Sequence, residues 1–151
     1  MTEIAFYHLQ NSPLEAVLPI LLEKTLGAGK RALVLAGSDE RVEALNALLW
    51  SHDPNGWLPH GSTKDGDAPD QPIWLTSDPE NANSASFLFL TDGTSGRELE
   101  TFERCFDLFD GRDSSAVQAA RDRWKEVKDA GHDLTYWQQN EQGKWEQKSK
   151  E

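Results

Sequence analysis

Residues 31–36 read RALVLA, and residues 37–50 follow as GSDERVEALNALLW. The first run is apolar without alternation, the pattern of a short strand covered on both faces. In the second, Ser38 or Asp39 can cap a helix whose apolar stripe is Val42, Leu45, Leu48 and Leu49, closed by Trp50. Upstream, Ile4–Tyr7 is strand-like. Asn11-Ser12-Pro13 then matches a helix start, with Ser12 as N-cap and Pro13 at the first helical position. Leu14, Val17, Leu18, Leu21, Leu22 and Leu26 recur at helical spacing before Gly27 and Gly29 end the helix. This strand–helix–strand–helix order predicts an α/β fold, with a mostly parallel central sheet flanked by helices.

The rest of the chain extends that layout. Pro72–Thr76 (PIWLT) and Ser86–Leu90 (SFLFL) are two further buried-strand candidates, and 51–70, rich in Gly, Pro, Asp and His, reads as a long surface loop. Leu99–Asp110 is expected as a short helical lead followed by a strand around Cys105–Phe109. Ser114–Ala130 reads as a helix with a serine cap and Gly131 beyond its last turn. LTYWQQNEQGKWEQ suggests a last strand or hairpin. We expect one domain over 1–145 and a frayed tail over 146–151.

Composition narrows the function classes. The 151 residues carry a net charge of -11, which opposes direct nucleic-acid binding and leaves only an indirect connection through a partner. Mean hydropathy is -0.67, with no run long enough to span a bilayer. MTEIAFYHLQ lacks the charged start and cleavage site of a signal peptide, and the single cysteine suits a reducing compartment, so a cytoplasmic location is expected. His8, His52, His60 and His132 are scattered, without metal-ligand spacing, and Cys105 has no nearby histidine to act as base. LGAGK at 26–30 closes a helix and opens a strand, the reverse of a phosphate loop. DGTSG at 92–96 follows a strand but lacks either nucleotide fingerprint. No catalytic residue, metal or cofactor is therefore predicted. A small nucleotide-binding enzyme using loop 92–96 is the alternative.

Two constellations point instead to recognition. Around a helical wheel at about 100° per residue, Val117, Ala120, Trp124 and Val127 of AARDRWKEVK and its flanks form the core stripe. Arg121, Lys125 and Lys128 gather on one shoulder, and Arg123 points roughly 160° away from them. Arg121 and Lys125 are an unfavourable i, i+4 like-charge pair, which suits an anionic ligand carrying an apolar group to Trp124. The second constellation is LLWSHDPNGWLPH at 48–60, where Trp50 and the loop residues Trp57, Leu58 and Pro59 offer an apolar patch to a protein partner.

In IAFYHL, GKRALVLAGSDERVEALNALLW, WLPHG, ARDRWK and AGHDLTYW, taken in order, the chain resembles the chi subunit family of bacterial DNA polymerase III. The resemblance implies a Rossmann-like three-layer fold and a non-catalytic adaptor linking the clamp-loader complex to the single-stranded-DNA-binding protein. It implies that the acidic C-terminal tail of the latter, Asp residues followed by Pro-Phe, is held by Arg121, Trp124, Lys125 and Lys128. It further implies that Trp50, Trp57, Leu58 and Pro59 meet the psi subunit, or another clamp-loader or helicase-related partner.

Overall fold

The computed structural model describes residues 2–52, 58–62 and 64–150, the side chains of 149 and 150 excepted. Its elements in chain order are β1 (Glu3–Leu9), α1 (Leu14–Gly27), β2 (Ala32–Leu35), α2 (Asp39–Ser51), β3 (Gly61–Ser62), β4 (Ile73–Thr76), β5 (Phe87–Leu90), β6 (Arg104–Asp110), α3 (Ser114–Asp129), β7 (Asp133–Gln139) and β8 (Trp145–Lys150). Short 3-10 turns cover Ala68–Asp70 and Leu99–Thr101. The eight strands form one sheet in the order β3-β4-β2-β5-β6-β1-β7-β8. Every pairing is parallel except β7 with β8.

The sheet is Rossmann-like because its crossovers run both ways. From β1 the chain passes through α1 to β2, towards one edge. From β6 it passes through α3 to β7, towards the other. Right-handed crossovers running in opposite directions put their helices on opposite faces. One core layer accordingly joins Val17, Leu18 and Leu22 of α1 and Val42 and Leu45 of α2 to Val34, Leu75 and Phe89. The other joins Ala120 of α3 to Ile4, Phe6, Leu33, Cys105 and Leu134, with Val117, Trp124 and Val127 packed at its margin. All four residues of β2, β4 and β5 are buried, as runs without alternation require.

Four expectations are corrected in detail. Ser12 does not cap α1; its hydroxyl accepts from Gln139 Nε2 at 3.1 Å, while the Pro13 carbonyl receives the Ala16 and Val17 N–H groups. The cap of α3 is Asp113, whose carboxylate accepts from Ser115 N–H at 2.9 Å and Ala116 N–H at 3.4 Å. A carboxylate there also favours the positive end of the helix dipole. Segment 51–70 contains the two-residue edge strand β3, paired with Trp74 and Leu75. Residues 146–150 continue β8, because a backbone ladder with β7 needs no apolar side chains.

Candidate partner-binding surfaces

Helix α3 sits over β6 and β7 and turns one side of its surface stripe inwards. Ala120 is 2% exposed at the closest approach to the sheet. One turn later the half-buried Trp124 packs edge-on against Phe6 at 5.1 Å and against Tyr136 at 5.9 Å between ring centroids. Arg121, Lys125 and Lys128 are all exposed, on the shoulder the wheel assigns them. Neither Arg121 nor Lys125 forms an ion pair with any described residue. Two cations one turn apart on an acidic protein therefore keep their charge available beside a tryptophan.

The field of Arg121 reaches the groups beneath it. Burial lowers the His8 imidazole below its ordinary value, and Arg121 adds to that. Burial raises the Tyr136 phenol, and Arg121 opposes that. His8 and Tyr136 are themselves joined, His8 Nδ1 to the Tyr136 hydroxyl at 2.6 Å.

Arg123 leaves the cluster for a structural role that the wheel angle does not reveal. Its Nε donates to Asp107 Oδ2 at 2.6 Å and its Nη2 to Oδ1 at 2.9 Å. The two side chains are 11% and 3% exposed. Burial still holds the Asp107 carboxyl above its usual range, against the pull of Arg123. The sequence signal was the acid inside RCFDLFD, Asp107, at a strand position sharing a face with Cys105 and Phe109.

The second surface lies at the end of α2. Trp50 is 57% exposed and does not fold back on the core. Its ring rests 4.4 Å from the His60 ring, and His60 is tied to the Asn46 and Leu58 carbonyls. That brings Leu58 and Pro59, both half-buried, alongside the helix end, with Leu58 touching the core. Trp57 and the turn residues Pro54, Asn55 and Gly56 lie outside the described residues.

The glycine-rich segments and the crevice at the crossover reversal have their own local geometry. Gly27 ends α1 and Gly29 turns the chain into β2 at φ 74°. In loop 92–96 the Asp92 carboxylate is engaged by Gly37 N–H at 3.0 Å and by Arg41 at 3.1 Å. A crevice of about 500 Å³ opens above β1 and β6, where the crossover direction reverses. Glu15, Asp92, Asp110 and Asp113 line it together with Arg41, Arg112 and Arg123, and Asp113 takes the Ser115 and Ala116 N–H groups at the start of α3. Cys105 is buried, its thiol pushed well above the usual range by burial and by Asp107. No cluster of metal-ligating residues occurs among the described residues. No helix among them is long and apolar enough to cross a membrane.

Residues 1–135 match the family described as "DNA polymerase III chi subunit, HolC". The chain belongs to the chi subunit family. Among curated relatives, a Rickettsia prowazekii (strain Madrid E) protein named "Probable DNA polymerase III subunit chi" is 30% identical over 94 residues, 62% of this chain and 57% of that protein. The Escherichia coli (strain K12) DNA polymerase III subunit chi is 24% identical over 142 residues, 89% of this chain and 96% of its own length. The chi-family match includes both α2 and α3, and so both surfaces. It stops within β7 and leaves the β8 hairpin outside.

Proposed function

We propose that this chi-family chain is a non-catalytic, cytoplasmic replication adaptor. One surface holds the acidic tail of the single-stranded-DNA-binding protein, and the other attaches to the clamp loader. The observation that supports the first contact most strongly is the pair of exposed cations without acidic partners among the described residues, Arg121 and Lys125, beside the half-buried Trp124. In this reading Arg121 grips carboxylate oxygens through its planar fork, and Lys125 and Lys128 supply positive charge to the Asp residues. Trp124 gives the terminal Phe ring an apolar surface. With a net charge of -11 surrounding the patch, the attraction is local, and DNA is reached only through the partner. Immobilised single-stranded-DNA-binding protein is expected to retain the chain at low salt. Deletion of its terminal Asp and Phe residues should abolish retention, and undiminished retention would refute the assignment.

The exposed Trp50, with Leu58 and Pro59 beside it and Trp57 next to them in the sequence, is proposed as the anchor for the psi subunit or another clamp-loader or helicase-related protein. Trp50→Ala should reduce capture of that partner from a cell extract by at least about tenfold, while leaving capture by the single-stranded-DNA-binding protein unchanged. Normal capture of both would place the interface elsewhere.

A further inference from the structure

Beneath Arg121 lies a group of aromatic side chains that a reading of α3 alone leaves out. Tyr136 on β7 is ringed by Trp124 at 5.9 Å, His8 at 5.9 Å and Phe109 at 6.1 Å between centroids. Its hydroxyl is bonded to His8 Nδ1, and His8 is held in place from behind. A Cβ at Gly111 would lie 1.9 Å from the His8 ring, so only glycine allows the chain to pass there. Three strands and one helix thus fix the orientation of Tyr136. The ring nevertheless remains half-buried, as does the neighbouring Trp124. The two rings meet at 69° and form an angled ledge, and Arg121, three residues before Trp124 on α3, is near enough for its charge to act on the Tyr136 phenol.

We infer that Tyr136 is a specificity-determining residue of the tail site, resting on the proposed adaptor function. The terminal aromatic ring of the bound tail lies in the angle between Trp124 and Tyr136, with its carboxylate towards Arg121. A ring set against two aromatic side chains gains more than an aliphatic side chain would, since aromatic pairs add to the burial of area. His8 acts on the ligand only through Tyr136, as a positioning residue. The bond it makes to the hydroxyl lowers the freedom of the ring before binding.

The test is a calorimetric titration with two synthetic peptides, Asp-Asp-Asp-Pro-Phe and Asp-Asp-Asp-Pro-Ala, both with free C-terminal carboxylates. Tyr136→Ala should weaken binding of the Phe peptide by about fivefold and leave the weaker Ala peptide unchanged, whereas Tyr136→Phe should keep most of the affinity. An equal loss for both peptides, or no loss for either, overturns the role of Tyr136. Arg121→Ala serves as the companion variant. If it also leaves the Phe peptide unaffected, the adaptor reading itself fails; if it weakens both peptides while Tyr136→Ala weakens neither, only the ledge is lost. Amide spectra of each variant matching the parent away from β7 confirm that the fold survives.

Discussion

Arg123→Ala is expected to destabilise the fold by about 3–5 kcal/mol, more than any change on the surface of α3. The loss comes less from the missing contact than from what stays behind. Asp107, 3% exposed in the middle of β6, would retain its charge without the two hydrogen bonds that now satisfy both oxygens. The pH dependence follows from the sign of the shift. Burial already raises the Asp107 pKa above its unfolded value, and removing Arg123 removes the effect opposing that rise. A group bound more tightly to its proton when folded contributes stability below its unfolded pKa and loses it as pH rises through the folded one. Chemical denaturation should therefore show a large deficit at neutral pH and a smaller one in mild acid. The double replacement Asp107→Leu with Arg123→Met should recover much of the loss, because it leaves no orphaned charge. A single variant within about 0.5 kcal/mol of the parent would contradict this account of the pair.

Arg121→Ala combined with Lys125→Ala should have the largest effect on binding, at least about tenfold on tail affinity at low salt. Both side chains are exposed, so each contact alone is worth little in water; the effect depends on a ligand whose carboxylates and ring approach together beside Trp124. The parent should bind less tightly as salt rises, and the double variant should show a flatter salt dependence. Folding is not at risk. Alanine is the better helix former, and removing an i, i+4 like-charge pair relieves a few tenths of a kcal/mol. An unchanged or slightly higher melting temperature therefore accompanies the loss of affinity, unlike the outcome for Arg123→Ala.

The contrast between these two arginines shows what could be read from the chain. Arg121, Lys125 and Trp124 lie within a few residues on one helix, and a 3.6-residue period is enough to place them together. Arg123 is on the same helix, but its partner Asp107 lies on β6, and only the three-layer packing brings the two into contact. Tyr136 is further removed still, meeting Trp124 because β7 runs beside β1 beneath α3. Burial of the strands themselves was legible. RALVLA, PIWLT and SFLFL have no polar face to offer, and β2, β4 and β5 form within them. The helix caps were less so, since Asp113 and Ser114 are adjacent capable cap residues and the backbone conformation chooses between them. The edge strand β3 was hidden for a related reason, being too short for side-chain periodicity to mark it, whereas the β7–β8 hairpin was expected within LTYWQQNEQGKWEQ and only its polar end was not.

If the basic shoulder of α3 holds an acidic tail ending in an aromatic residue, calorimetric titration with the Asp-Asp-Asp-Pro-Phe peptide should separate the folded chain from its Arg121→Ala/Lys125→Ala variant. Saturable binding to the parent and at least about tenfold weaker binding to the variant are expected. Equal affinity for the two proteins, or no binding to the parent at low salt, would contradict that role of α3.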